Sequence, residues 1–275
     1  MASTYLQRTP SGAGNRKTFT ISTWVKVDNI GDDNWRYIFD IGRNADSKRI
    51  ALAATSSGFV SILNGVSSDI FTVSASSSDT GWQHVVLSWS GTNFAKIYIN
   101  GSESSETTNI SNGTLTLESG DPAVIGKRFS CSEYFPGDLD EIAIWNEALS
   151  ANEITALYNS GNGLAASSNS GNYTSSGNLT GYWNFNEGHG NIVNDITSNS
   201  NDGQLHGAGW SDDSAPLMQN ILGVSVSNVE ASIYPGVAGD TIQVPVNVDL
   251  QDVDLFSVGI RLDGFQSHLQ DQCIH

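Results

Sequence analysis

The feature that most constrains this sequence is an alternation of apolar and polar residues over 18–27, TFTISTWVKV. The apolar residues on one face are Phe19, Ile21, Val25 and Val27. The other face carries Thr20, Ser22, Trp24 and Lys26. A period of two places alternate side chains on opposite sides of an extended backbone. The segment therefore predicts a strand of a sandwich, with one face in a core and the other solvated or partly covered.

Similar runs recur at short intervals along the N-terminal part of the chain. They predict strands at 35–41, 49–54, 59–63, 83–90 and 95–99. Asn100-Gly101 after the last run predicts a tight hairpin turn, because both residues tolerate positive φ. Glycine is abundant at 28 residues and charge is low at 15%, as in chains of many short strands. We therefore expect an all-β fold, an antiparallel two-sheet jelly-roll sandwich.

Helical signals are confined essentially to one short segment. Ser150 and Glu153 have the spacing of a capping box, in which each side chain accepts a hydrogen bond from the other's backbone N–H. Leu149 and Ile154 flank this box as a hydrophobic staple. The pattern predicts one short helix, Ser150 to Tyr158, which closes a first domain at about residue 160.

The segment that follows the helix is rich in serine, glycine and asparagine. Residues 161–178 predict a linker, because they contain few apolar anchors. Residues 179–217 either complete the first domain or begin a second one. Their two predicted strands are 182–186 and 203–207. Four of their side chains are too apolar to stay in water, namely Tyr182, Trp183, Phe185 and Trp210.

The last part of the chain, residues 221–275, returns to alternation. Apolar residues occupy every second position from Ile242 to Val248 and again from Phe256 to Leu262. This length is roughly half of an immunoglobulin-like sandwich. We therefore predict a small, truncated immunoglobulin-like β segment here and expect the chain to be a piece of a longer protein.

The charge balance excludes some partners. With 29 acidic and 12 basic residues the formal net charge is −17, which repels phosphate backbones and anionic lipid surfaces. We expect no nucleic acid partner, and no membrane insertion because no apolar stretch reaches about 18 residues. Cys131 and Cys273 have no Cys or His neighbour at metal-ligand spacing. An extracellular or cell-surface location is expected, although MASTYLQRTPSG lacks the apolar core of a signal peptide.

Three stretches together resemble the laminin-G-like jelly-roll family, relatives of the concanavalin A-like lectins and glucanases. They are FTISTWVKV, GWQHVVLSWSGTNFAKIYINGS and FPGDLDEIAIWNEALSANEITALYNSG, in the family's order over residues 1–160. The stretch 179–217 resembles the segment with which such domains often begin. Residues 221–265 resemble a cohesin-like or other immunoglobulin-like module of bacterial extracellular proteins. The resemblance implies a concanavalin A-like sandwich and a binding role.

A glycanase site is not expected in this sequence. The catalytic strand of concanavalin A-like glycanases carries Glu-x-Asp-x-x-Glu, so that two carboxylates flank the scissile bond, and no such triplet occurs here. In GDLDEI the alternation predicts Asp138 and Asp140 on the face shared with Ile142, and Glu141 on the opposite face. We therefore predict that the protein is not an enzyme.

Asp140 is the most informative single residue of that strand. A carboxylate on an inward-facing row needs a cation, a basic side chain or several backbone N–H donors. The family resemblance implies one structural calcium ion, with Asn186 and Asp195 brought close to Asp140. A metal-free Asp140 held by hydrogen bonds is the alternative.

Aromatic residues at strand ends or in loops supply the candidate ligand-binding surface. Trp35, Tyr37 and Tyr134 are predicted as a sugar platform, because aromatic faces there are free to stack on sugar rings. Trp24 and Trp89 lie within predicted strands and are expected to pack inside.

These observations favour a non-catalytic extracellular binding or adhesion module that binds carbohydrate. Its expected partner is a glycan or a cell-surface or extracellular protein. A structural or assembly domain of a surface or phage tail-fibre-type protein is the alternative from a different class. A glycoside hydrolase is third, because a fold alone does not confer activity.

Overall fold

A computed structural model describes residues 5–8, 18–28, 35–43, 48–66, 69–91, 95–106, 123–128 and 134–217. The strands of these ranges form two antiparallel sheets. The nine-stranded sheet has the spatial order β10 (Ser105–Glu106), β6 (Asp69–Ser76), β5 (Gly58–Val66), β4 (Lys48–Thr55), β3 (Arg36–Arg43), β11 (Ala123–Ile125), β1 (Tyr5–Arg8), β15 (Gly203–His206) and β14 (Ile192–Val193). The six-stranded sheet has the order β13 (Leu179–Trp183), β12 (Gly137–Trp145), β2 (Phe19–Val27), β7 (Gln83–Trp89), β8 (Ala95–Ile99) and β9 (Ser102–Glu103).

The main core lies between the two sheets. Strand β2 contributes the side chains predicted from its alternation, Phe19, Ile21, Val25 and Val27. The facing sheet supplies Leu52 and Leu63, both fully buried. Burial of such side chains contributes about 1.5–3 kcal/mol each, so this layer is the main source of stability. The predicted all-β jelly-roll sandwich is confirmed.

The outer side of the six-stranded sheet is covered by α1 (Ala151–Tyr158). Ser150 is its N-cap, and the predicted capping box with Glu153 is present with both reciprocal bonds. Leu149 and Ile154 are buried in a second apolar cluster beneath the helix. Among the described residues α1 is the α-helix, as predicted, and none of the helices there has the length and apolar character that a membrane crossing requires.

The segment predicted as a linker, residues 161–178, packs against this same outer surface. Tyr173 is fully buried in the second cluster. Its hydroxyl donates to Ala166 O at 2.6 Å and accepts from Trp145 Nε1 at 3.0 Å. A buried aromatic ring with a satisfied hydroxyl anchors this polar segment to the sheet. The low apolar content of residues 161–178 did not predict this contact.

Residues after 178 supply strands to both sheets. β13 pairs with β12 in the six-stranded sheet, and β15 pairs with β1 in the other. Tyr182 and Trp183 are buried, as their apolar character predicts. The immunoglobulin-like segment expected at 221–275 lies outside the described residues, as do Cys131 and Cys273.

Candidate functional site

An open cleft of about 350 Å³ forms where β1, the start of β12 and the residues that follow β15 meet. Its lining is both aromatic and acidic. The aromatic residues are Tyr5, Phe135, Phe185 and Trp210. The acidic residues are Asp138, Asp140, Asp212 and Asp213, with Asn186 as a neutral polar neighbour. Clefts that combine apolar walls with a few polar groups are the usual form of ligand sites.

Three partly exposed rings, from Tyr5, Phe185 and Trp210, line this cleft. Tyr5 is held in place from two sides. Its ring stacks on His206 with centroids 4.6 Å apart, and Lys127 Nζ lies 4.4 Å from its centroid. A cation this close to a ring face is attracted by the ring quadrupole. These two contacts occupy the faces of the Tyr5 ring. Tyr5 therefore offers its edge and hydroxyl to the cleft, and Phe185 and Trp210 are the rings that can offer a face.

Phe185 reaches the cleft because the chain turns sharply after β13. Its φ is 52°, in the left-handed region that bulky side chains rarely adopt. The turn ends the strand at Trp183, earlier than the predicted 182–186. Backbone strain of this kind concentrates at functional sites.

Trp210 belongs to a segment without regular secondary structure, residues 208–215, which we call the strap. The indole Nε1 of Trp210 donates to Gly190 O at 3.0 Å. Asp213 accepts bonds from Lys26 and from Trp82 Nε1. The strap thus forms one wall of the cleft and is held mainly by side-chain contacts.

A β-bulge in β12 decides where the acidic residues point. In the register with β2, Asp140 pairs with Trp24 and Ala143 pairs with Ser22, so one extra residue of β12 lies between these pairs. Glu141 occupies the bulge with a φ of 53°. Such a bulge reverses the side-chain parity of a strand.

The predicted alternation through GDLDEI is wrong for this reason. Leu139 before the bulge and Ile144 after it both pack against the core between the sheets. Asp140 instead shares the outer side of the sheet with Trp24. Asp138 and Asp140 therefore do not share a face with Ile142.

Asp140 is buried, as predicted, with 8% of its surface exposed. Its Oδ1 accepts from Glu141 N and its Oδ2 from Ala215 N, both at 2.9 Å. Burial raises the pKa of Asp140 to about 6, against the opposing effect of these two backbone bonds. The donors come from its own strand and from the strap.

The predicted calcium ligands do not assemble as a set. Asn186 lines the cleft together with Asp140, but Asp195 is engaged elsewhere. Its Oδ1 accepts from Tyr182 N and Thr197 N, and its Oδ2 from Asn201 N, at 2.8–3.0 Å. The ranges that the structure describes contain no cluster of three or more His, Cys, Asp or Glu side chains able to hold a metal ion. Asp195 thus does not fit as a third ligand, and calcium at Asp140 stays a prediction.

The predicted sugar platform is dispersed over the nine-stranded sheet. Tyr37 is only 3% exposed and stacks on Trp35 with centroids 6.1 Å apart, so it offers little ring surface to a ligand. Tyr134 lies beside Tyr5, with Lys127 Nζ 5.6 Å from its ring centroid. Of the predicted residues, Tyr134 therefore lies next to a residue that lines the cleft. Trp24 and Trp89 are buried as predicted.

The cleft residues Tyr5, Phe185 and Trp210 are not among the site residues predicted from the sequence. The burial of Phe185 and Trp210 against the fold could be predicted, because both side chains are too apolar to stay in water. Their convergence with Tyr5, however, depends on pairing between β1 and β15, which are far apart in the chain.

The fold and the cleft define the class as a two-sheet jelly-roll sandwich with an open cleft that is lined by acidic and aromatic residues. Residues 2–155 match the family model of the concanavalin A-like lectin/glucanases superfamily. The match spans more than half of the chain, so the protein belongs to that superfamily, as the resemblance predicts.

Solved structures agree with this fold. A candidate carbohydrate-binding protein from Bacteroides ovatus ATCC 8483 superimposes with a TM-score of 0.52 at 18% identity, over 74% of this chain and 55% of its own. The chain thus spans little more than half the length of that protein. No curated protein matches the chain.

Two further structures are similar at lower scores. The heptameric SAP-like pentraxin of Limulus polyphemus has a TM-score of 0.45 at 20% identity, over 60% of this chain and 79% of its own. Domain 4 of AbnA, an extracellular arabinanase of Geobacillus stearothermophilus solved with arabinotriose, has a TM-score of 0.41 at 21% identity, over 51% of this chain and 66% of its own.

Proposed function

We propose that this protein is a non-catalytic carbohydrate-binding module and that the cleft is its glycan site. The observation that carries the proposal is the meeting of three partly exposed rings, Tyr5, Phe185 and Trp210, with carboxylate and amide groups in one cleft of about 350 Å³. Aromatic faces pack on the apolar C–H faces of sugar rings. Carboxylates accept hydrogen bonds from sugar hydroxyls, and amides both donate to them and accept from them. The fold relationship to a candidate carbohydrate-binding protein is consistent with this role.

The charge of the cleft narrows the glycan class. Four aspartates line it, and the formal net charge of the chain is −17. An acidic sugar would bring its carboxylate or sulfate against this field, and its desolvation would not be repaid. Neutral or amine-bearing glycans are therefore the expected ligands, and sialylated or uronic acid polymers are expected to bind poorly.

Binding without hydrolysis is favoured by the state of two of the four cleft carboxylates, Asp140 and Asp213. Glycoside hydrolysis needs an acid and a nucleophile or base facing each other across the scissile bond. Both oxygens of Asp140 are occupied by backbone donors, and Asp213 is engaged with Lys26 and Trp82. These carboxylates act as fixed parts of the cleft wall. A location outside the cell, where glycans are displayed, fits this role.

The decisive experiment is a screen of the full chain against a glycan array, followed by calorimetry with the best neutral ligand. Trp210→Ala is expected to weaken binding at least tenfold, because it removes one ring from the cleft. Trp35→Ala is the matched control, since Trp35 is also a partly buried tryptophan but lies outside the cleft. Binding is expected to survive in the control.

Three results would overturn the proposal. Loss of binding in Trp35→Ala with full binding in Trp210→Ala would move the site to the predicted Trp35 surface. No binding to any array glycan would favour the structural or assembly role instead. Shorter products appearing when the bound oligosaccharide is incubated with the protein would replace the binding role by a hydrolytic one.

A further inference from the structure

We propose that Asp213 is a positioning residue that latches the strap against the six-stranded sheet and thereby holds Trp210 in the cleft. The part of this inference that concerns ligand affinity rests on the proposed glycan-binding function. The part that concerns the strap itself does not.

The latch consists of one carboxylate bound by two donors from different parts of the fold. Asp213 Oδ1 accepts from Trp82 Nε1 at 2.9 Å. Asp213 Oδ2 accepts from Lys26 Nζ of β2 in a salt bridge. Trp82 immediately precedes β7, the neighbour of β2 in the sheet. A single side chain thus ties the strap to two adjacent strands.

The strap depends on such ties because it belongs to neither sheet ladder. Residues 208–215 have no regular secondary structure. Beyond the latch, two hydrogen bonds join it to earlier parts of the described fold, from the backbone N of Ala215 to Asp140 and from Trp210 Nε1 to Gly190 O. The indole of Trp210 also packs against the apolar cluster that contains Leu6 and Trp183. Segments with few backbone ladder bonds open locally at low cost. Small changes in the latch are therefore expected to shift the open population measurably.

The position of the latch explains how it acts on the cleft. Asp213 lies three residues after Trp210, and both line the cleft. If only the closed strap presents Trp210 to a ligand, the measured dissociation constant rises as the closed fraction falls. Asp213 influences affinity through Trp210, and it need not contact the sugar itself.

The ligand-free test is amide hydrogen exchange in the full chain, read over residues 213–215, because Asp213 N and Ala215 N donate hydrogen bonds whose breaking the exchange rate reports. Asp213→Ala removes both bonds and is expected to speed exchange there at least fivefold. Asp213→Asn keeps an acceptor for Trp82 but loses the ion pair, so an intermediate rate is expected. Asp212→Asn is the matched control, because Asp212 is the neighbouring aspartate and makes no side-chain bond within the described part of the chain. Its exchange is expected to stay at the wild-type rate.

A double-variant background separates the latch from a general loosening of the fold. In Lys26→Met/Trp82→Phe both donors are gone, so adding Asp213→Ala should not speed exchange further. An additional fivefold increase in that background would overturn the proposal. So would wild-type exchange in Asp213→Ala itself.

The affinity test uses the neutral glycan identified on the array. Asp213→Ala is expected to leave the strap mostly open, with a closed fraction of about one fifth, and so to raise the dissociation constant about fivefold, because that constant varies as the inverse of the closed fraction. The melting temperature should be unchanged, and added NaCl should raise the constant in wild type but not in the variant. Unchanged affinity in a variant whose bonded strap amides exchange as in an open segment would overturn the positioning role. If wild type binds no glycan, the proposed function fails, whereas the exchange experiment still decides whether Asp213 latches the strap.

Discussion

The hydroxyl of Tyr182 on β13 donates a hydrogen bond to Oε2 of Glu141 in the bulge of β12. Both side chains are buried, and Glu141 is 8% exposed. Burial raises the pKa of Glu141 to about 8 and the pKa of Tyr182 well above 10. The adjacent Asp140 carboxylate adds to both effects. Glu141 is therefore mostly protonated at neutral pH, and its ionisation opposes folding.

Glu141→Gln should flatten the pH dependence of stability. The folded-state pKa of about 8 lies above the ordinary value of 4.5, so the folded protein binds more protons than the unfolded chain between these values. The contribution of Glu141 to stability should then fall as pH rises from about 4.5 to 8, by up to about 1.4 kcal/mol per pH unit. The glutamine cannot ionise, so the variant should lose most of this slope. Urea unfolding from pH 4.5 to 9 measures it, and a wild-type slope in the variant would contradict the assignment.

Glu153→Gln serves as the matched control because the shift there has the opposite sign. Partial burial alone raises the pKa of Glu153, but hydrogen bonds from Ser175 and Ser150 outweigh it and hold the pKa below 4.5. That stabilisation is present above pH 4.5 and is lost as pH falls through the folded-state pKa. The control should therefore be less stable than wild type at neutral pH and should converge with it in acid.

Local sequence patterns were sufficient to predict elements whose conformation is determined by residues close together in the chain. The alternation in β2 and the box formed by Ser150 and Glu153 are examples. The bulge at Glu141 was not predictable, because a glutamate carries no sequence signal for positive φ. One unrecognised bulge reversed every side-chain direction between Gly137 and Asp140.

The candidate site was harder to predict than the fold. Tyr5 and Trp210 reach the cleft through β1 and the strap, whose positions depend on contacts far apart in the chain. Strand β6 (Asp69–Ser76) was also missed, although Phe71, Val73 and Ala75 alternate with Thr72, Ser74 and Ser76 in its sequence. Tyr37 illustrates the reverse error, since a position at a strand end suggested exposure and the structure buries it.

His84 should limit stability in acid. The ring is 2% exposed, and its Nε2 lies 2.7 Å from Ser22 Oγ. Burial lowers the pKa of His84 to about 3 from the ordinary 6.5. The unfolded chain therefore binds a proton that the folded protein excludes, and the contribution of His84 to stability should fall as pH drops from 6.5 towards 3. Between pH 4.5 and 6.5 this slope opposes that of Glu141, and below 4.5 it acts without that opposition. His84→Gln should show a shallower acid limb in urea unfolding.

Ser22→Ala provides the comparison for His84. It removes the partner of a buried ring nitrogen and should cost about 1–3 kcal/mol. The imidazole remains, so the acid limb should keep its wild-type steepness. If the acid limb of His84→Gln is as steep as that of wild type, the loss of stability in acid comes from groups other than His84.

Gly101→Ala should be more destabilising than a positive φ alone explains. Gly101 follows Asn100 in the predicted hairpin turn, with φ values of 76° and 52°. An added Cβ would lie 2.9 Å from Cδ1 of Tyr158, on the helix that covers the sheet. Gly171→Ala is the matched control, because its φ is 57° and a Cβ there meets nothing within 4 Å. The control should lower the free energy of unfolding by about 1–2 kcal/mol, and Gly101→Ala should lower it clearly more. Thermal or urea unfolding measures both losses. Equal losses in the two variants would show that Tyr158 moves aside freely.

A test at Asp140 distinguishes the two alternatives for this residue, a bound calcium ion and a carboxylate held by hydrogen bonds alone. Each of its carboxylate oxygens already accepts one backbone bond, which favours the metal-free alternative. We therefore expect the melting temperature of the full chain to be the same in excess calcium and in EDTA. Asp140→Asn should cost about 1–3 kcal/mol in either condition, because its amide nitrogen cannot accept and leaves one buried N–H without a partner. A bound ion would instead stabilise the native state in proportion to the logarithm of its concentration. A melting temperature that falls in EDTA for wild type, but not for Asp140→Asn, would establish calcium at this position.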